Sequence, residues 1–163
     1  FVEKGQMVPG RINNLDLASI ISLTKKSLRC LGIENGASHT ELRINVKKEL
    51  CIIEIAGRMG GDFRSRLIEL AHGYDYIENV INVSLNKSIE KGSKAAKNIS
   101  FIKWFLTKEE LSKLSKLEIE YDLDCVNIFE GTKEISKTKS SNDRLGYAIG
   151  SSNELPLMFL DLV

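Results

Sequence analysis

Two neighbouring stretches decide how the chain reads: Gly36-Ala37-Ser38-His39-Thr40-Glu41-Leu42-Arg43-Ile44 and Cys51-Ile52-Ile53-Glu54-Ile55-Ala56-Gly57-Arg58. Both are short runs rich in β-branched and apolar residues, separated by a polar stretch at 45–49. They predict two strands, 37–44 and 50–56, folded back as a hairpin. With the hairpin centred between Lys47 and Lys48, Glu41 stands opposite Glu54. Strand side chains alternate between faces. One face then carries Thr40, Leu42, Ile44, Cys51, Ile53 and Ile55, an apolar set suited to a core. The other carries His39, Glu41 and Arg43 against Ile52, Glu54 and Ala56.

Two carboxylates facing each other across a ribbon repel, in a position where a cross-strand pair is worth about 0.2–1 kcal/mol. Something has to compensate. Magnesium is commonly held by one or two carboxylates together with substrate phosphates, so Glu41 and Glu54 are candidate metal ligands. The plainer alternative is a solvated sheet face neutralised by Arg43 or Arg58. A slip of one residue would send one carboxylate to the other face and end the argument.

Arg58 follows Glu54 by four residues, just past the strand. Its fork of donors suits a phosphate or carboxylate, or else it pairs with Glu54 at the surface. Gly60-Gly61-Asp62 precedes an expected helix, where free N–H groups and close approach at glycine can serve an anion. The alternative is a flexible loop feeding a helix capped by Asp62. His39 shares the face of Glu41 and is a candidate to line the site. His72, at an expected helix end, suits the helix dipole.

Working outward, residues 1–10 read as a strand remnant and loop. Asn14 is the expected N-cap of a helix over 15–31, with Gly32 as its stop. Asp62 and Asp75 are expected to cap helices over 63–72 and 76–85, with Gly73 ending the first. The lysine-dotted stretch 86–98 marks a boundary. Beyond it the pattern predicts strands at 99–106, 117–121, 125–129 and 145–149. Thr107 and Glu110 form a capping box for a helix ending near Leu114, and a last helix is expected over 155–162. The fold class is α+β with antiparallel sheet.

Composition narrows the field. At 42% hydrophobic and 28% charged residues the chain can bury a core, and a net charge of +1 gives no basic excess for nucleic acid. Cys30, Cys51 and Cys125 are dispersed and form no CxxC pair, which points away from a disulfide framework or zinc site and toward a reducing, cytoplasmic setting. No apolar run approaches the roughly 20 residues that span a bilayer. The chain opens Phe-Val-Glu without Met, which suggests a piece of a longer protein.

The run Gly-Ala-Ser-His-Thr-Glu at 36–41 and the run Ile-Ile-Glu-Ile-Ala-Gly-Arg-Met-Gly-Gly-Asp at 52–62 resemble the ATP-grasp superfamily. The resemblance is to the branch of carboxylate–amine and amino-acid ligases, with carbamoyl-phosphate-synthase-like relatives. Ser-Ser-Asn-Asp-Arg-Leu-Gly-Tyr-Ala-Ile at 140–149 resembles the tail of that branch. The resemblance implies the C-terminal half of an ATP-grasp domain, its lobe over residues 1–90, with a small α+β subdomain over 91–163. It implies Mg²⁺ (or Mn²⁺) held by Glu41 and Glu54, ATP as co-substrate and Arg58 in a catalytic role; His39, Gly60 and Gly61, singled out above by strand face and loop position, are the candidate cofactor contacts.

The implied partners are ATP, a small carboxylate and an amine, and the missing N-terminal part of the chain, which carries the phosphate-binding lysines. A homodimer is left open. Many family members have Asn two residues after the second Glu. Ala56 stands there, so water or another group would complete the shell. The alternatives are a non-catalytic binding module of this fold, part of a carbamoyl-phosphate-synthase-type large subunit, and a metal-dependent hydrolase. The piece alone is expected to be inactive.

Overall fold

The run Ile99-Ser-Phe-Ile-Lys-Trp-Phe105 forms strand β4 (Ile99–Phe105), and its near-continuous apolar character follows from being covered on both faces. The computed structural model describes residues 2–89, 95–131 and 139–158. In it β4 pairs antiparallel with β1 (Gly5–Val8) on one side and β6 (Gly146–Ser152) on the other, and β5 (Asp122–Ile128) closes the order β1-β4-β6-β5. Alternation sorts the side chains into two clusters. Ile102, Trp104, Tyr147 and Ile149 pack with Leu67 of helix α2 (Arg64–His72). Phe105 and Ala148 pack with Leu145 and with Leu111, Leu114 and Leu117. These last three sit on two short helices, Leu111 on α4 (Lys108–Ser112) and Leu114 and Leu117 on α5 (Leu114–Glu120). The buried hydroxyl of Ser100 donates to the carbonyl of Leu67 at 2.6 Å, tying the helix to the strand.

The start of α4 is fixed by charge as well as packing. Thr107 Oγ1 accepts from the N–H of Glu110, as expected of a cap. The Glu110 carboxylate accepts from the N–H of Leu106 at 2.7 Å and from Lys103 Nζ at 2.8 Å. Burial works to raise the Glu110 pKa, but the Lys103 and backbone donors outweigh it, and the group is held below its ordinary value. A carboxyl with a lowered folded pKa binds fewer protons folded than unfolded, so its contribution is complete above the ordinary value of 4.5 and is lost as pH falls below that. Glu110→Gln is expected to cost about 1.5–3 kcal/mol at pH 7, the scale of hydrogen bonds to a charged group. It should also flatten the fall of the urea midpoint between pH 5 and pH 3. An unchanged acid profile would remove Glu110 as a source of that fall.

The described residues form two compact units. The sheet unit comprises residues 2–9, Arg66–Tyr74 and 95–158; the ribbon unit comprises Gly10–Ser65 and 75–89. Two segments that precede residue 90 therefore pack with the chain that follows it. The ribbon unit contains helix α1 (Asn14–Cys30), a two-stranded antiparallel ribbon of β2 (His39–Ile44) and β3 (Leu50–Ala56), and helix α3 (Tyr76–Ser84). Among the described residues every buried apolar side chain belongs to the sheet unit.

Several boundaries differ from expectation. The N-cap of α1 is Asn13, not Asn14; its side chain accepts from the N–H of Asp16 at 2.9 Å. Asp62 does not cap α2, because Asp62 and Phe63 both take left-handed backbone (φ 53° and 60°) and the helix begins at Arg64. Asp75 caps α3 as expected, accepting from the N–H of Glu78 at 2.8 Å, and Gly73 (φ 64°) ends α2. The strand expected at 117–121 is helix α5. Leu114 and Leu117, three residues apart, face the sheet while Ile119 is 86% exposed, a helical pattern whose short window mimics alternation. Strands expected at 125–129 and 145–149 run Asp122–Ile128 and Gly146–Ser152. Of the helix expected over 155–162, residues 159–162 lie outside the described residues.

Candidate functional site

The ribbon is built from its turn. Asn45 N–H donates to Glu49 O at 3.1 Å and Lys48 N–H to Asn45 O at 2.9 Å, with Lys48 in left-handed backbone at φ 64°. That is a three-residue loop, 46–48, of the kind in which a left-handed residue follows a tight turn. It centres the hairpin on Lys47 and pairs Ile44 with Leu50, Arg43 with Cys51 and Leu42 with Ile52. A bulge then shifts the register, leaving Ile53 unpaired, and beyond it Glu41 pairs with Glu54, Thr40 with Ile55 and His39 with Ala56. The carboxylate pair is therefore as expected, reached by a different route. The apolar face is not: Cys51 and Ile53 are exposed, Ile53 by 57%, and Leu50 and Ile52 take the half-buried positions opposite Ile44 and Leu42.

Glu41 and Glu54 are both exposed. Glu41 Oε1 lies 3.3 Å from His39 Nε2. An ionised carboxylate can only accept, so Nε2 carries the proton in this contact. Among the described residues no ion pair joins Glu54 to Arg43 or Arg58. Arg58 instead donates from Nη1 to the carbonyl of Met59 at 2.8 Å. No group of three or more His, Cys, Asp or Glu side chains that could hold a metal occurs among the described residues. Two exposed carboxylates on paired residues are a hard-oxygen donor set. They suit a magnesium ion that takes its remaining ligands from phosphate and water.

The two glycines of the loop behave differently. A Cβ at Gly60 would lie 2.7 Å from Arg64 Cδ and 3.1 Å from His39 Nδ1, so the loop is pressed against the histidine ring. A Cβ at Gly61 would meet nothing within 4 Å, and its carbonyl accepts from Arg64 Nη1 at 3.0 Å. His39, Glu41, Glu54, Arg58, Gly60 and Gly61 all belong to the ribbon unit.

Arg64 and Arg66, two further cations in this stretch of sequence, part ways. Arg66 belongs to the sheet unit and forks onto Asp124, through Nε at 2.9 Å and through Nη2, and reaches Glu69 through Nη1 at 2.7 Å. The Asp124 hydrogen bond raises the Arg66 pKa, and Arg66 in turn lowers that of Asp124. Arg66 is therefore committed to a structural clamp. Its partner lies 58 residues away, and no local pattern announces it. His72 lies in the last turn of α2, as expected.

The architecture, α+β with antiparallel sheet and flanking helices, matches part of the fold of several solved ligases of the ATP-grasp fold. The similarity is broad in space and thin in sequence. The structure superposes on phosphoribosylglycinamide synthetase from Anaerococcus prevotii with a TM-score of 0.74 and 20% identity, over 99% of this chain and 43% of that one. An L-amino acid ligase from Bacillus licheniformis gives 0.72 and 16%, over 94% of this chain and 40% of that one. In sequence, 83 residues are 29% identical to alanine–anticapsin ligase of Bacillus subtilis, covering 51% of this chain and 18% of that protein. No family model matches. The chain thus spans about two fifths of the solved structures it resembles. No described helix is long and apolar enough to cross a membrane.

Proposed function

We propose that this chain supplies the metal-binding carboxylates of an ATP-dependent carbon–nitrogen ligase. The observation that carries the reading is the pairing of Glu41 with Glu54, both exposed, with Glu54 unneutralised by arginine among the described residues, within an ATP-grasp fold. Glu41 and Glu54 would hold Mg²⁺, with water replacing a third protein ligand at Ala56. When bound, such an ion would supply positive charge to offset that of the phosphates in the transfer.

In the reaction class, a substrate carboxylate oxygen attacks the γ-phosphorus of ATP and ADP leaves, giving an acyl phosphate. An amine then attacks the acyl carbon, phosphate leaves, and the amine nitrogen loses a proton. Arg58, released from the Met59 carbonyl, would turn its donors on the transferring phosphoryl group or the substrate carboxylate. Gly61, open to approach, leaves room for the nucleotide or substrate. The names of the amino-acid ligases among the similar proteins favour an amino acid as one substrate. Residues outside this sequence would hold the adenine and the phosphates, as the two-fifths coverage suggests.

The test is ADP release by the full-length protein carrying this chain, screened over pairs of amino acids and other small carboxylates. Release that depends on both substrates is expected, and silence across the screen would overturn the reading. The 163-residue chain alone is expected to show no micromolar affinity for Mg-ATP by calorimetric titration.

Ala56 favours one other reading, a binding module of the same fold without catalysis. It would show nucleotide binding in the full-length protein with no ADP released.

A further inference from the structure

We infer that His39 is a positioning residue that clamps Glu41 and couples the carboxylate ribbon to the glycine loop. Three observations place it there. Its Nε2–H faces Glu41 Oε1 at 3.3 Å, two residues along the same strand face. The other ring nitrogen, Nδ1, lies 3.1 Å from where a Cβ on Gly60 would stand. Its side chain is 18% exposed against 51% for Glu41, so the ring is the more enclosed member of the pair.

An exposed glutamate samples many rotamers, and a metal ligand must be held in one. The histidine proton occupies one carboxylate oxygen and leaves the other for a cation, in the way that second-layer hydrogen bonds orient metal ligands. It also offsets part of the repulsion from Glu54. Gly60 has a steric reason to be glycine: an added Cβ would meet Arg64 Cδ at 2.7 Å and crowd the ring at 3.1 Å from Nδ1, so the arginine stem and the ring would both have to give. The purpose of the clamp rests on the ligase reading; the coupling of His39, Glu41 and Gly60 does not.

The experiment has two arms on the full 163-residue chain. In the first, ¹⁵N spectra follow the Gly60 amide. Glu41→Gln is expected to move it in the wild-type background and to leave it still in a His39→Ala background, because the ring transmits the change. A Gly60 amide that ignores Glu41→Gln, or responds equally without the ring, overturns the inference.

In the second arm, Mn²⁺ binding is followed by the loss of its free-ion electron resonance. His39→Ala is expected to weaken binding about tenfold, the low end of what loss of such a partner costs. Gly60→Ala should do the same, and His39→Gln, which keeps an N–H donor, should recover part of the loss. Gly57→Ala is the control for an added methyl in this loop, since its Cβ would meet only Ile33 Cδ1 at 3.9 Å. Wild-type affinity in His39→Ala, or no recovery in His39→Gln, overturns the clamp. If the wild-type chain binds no Mn²⁺, the metal reading fails, and the first arm still decides the coupling.

Discussion

Gly146→Ala is expected to destabilise the sheet unit by about 3 kcal/mol and to lower the melting temperature by roughly 6–12 °C. Gly146 begins the strand that lies between β4 and β5, paired with Phe105 on one side and Ile128 on the other. A Cβ there would press into the backbone carbonyl of Asn127 and lie 3.0 Å from Ile128 Cα. Neither atom can turn away as a side chain can, so the cost falls on the β5–β6 ladder itself. Gly150, four residues on, is a second such place, with Asp122 O at 2.7 Å and Phe101 Cζ at 3.0 Å from the added carbon. Thermal unfolding by circular dichroism checks the prediction, and a shift under 2 °C would mean that β5 moves aside. Because the sheet unit holds every buried apolar side chain among the described residues, this loss should appear as global melting.

The second large effect is chemical. Glu41→Gln and Glu54→Gln each preserve size and remove one charge, so each should weaken Mn²⁺ binding about tenfold to a hundredfold while leaving the melting temperature within about 2 °C. The Coulomb term for one charge at 4 Å near a protein surface is about 4 kcal/mol before desolvation, and each 1.4 kcal/mol is tenfold in affinity. Removing a like-charge pair relieves repulsion, so the double variant should be at least as stable as the wild type, and it should bind no Mn²⁺. In the full-length protein the same variants should abolish ADP release. Metal binding that survives the double substitution would place the ion elsewhere and remove the basis for the ligase reading. A large stability loss would instead mark the two glutamates as structural.

How far the sequence could be read depends on how locally each feature is encoded. The carboxylate pair followed from the sequence through two offsetting misses: the turn centres on Lys47 rather than between Lys47 and Lys48, and the bulge at Ile53 restores the pairing of Glu41 with Glu54. The bulge was not legible, because Ile53 is apolar and nothing in its type says that it will stand 57% exposed. Alternation misled at residues 117–121, where Leu117, Ile119 and Tyr121 look like one strand face. Leu114 and Leu117 packing on Phe105, with Lys116 bridged to Glu120 at 3.4 Å, make that segment a helix. Asp62 read as a cap from its type alone, but the loop needs left-handed backbone there. The Arg66–Asp124 clamp and the pressure of Gly60 on His39 are tertiary contacts with no local signature.

The unpaired Ile53 changes how this ribbon should be measured against other sequences. Twelve residues lie between the two glutamates, and one of those within the strands, Ile53, has no partner across the ribbon. Deleting it would leave Glu41 beside Glu54 and Leu42 beside Ile52, with no residue changing sides. The interval between the acidic residues is thus an elastic ruler. Alignments that demand a constant gap would discard sound relatives, whereas those anchored separately on each end of the hairpin would keep them.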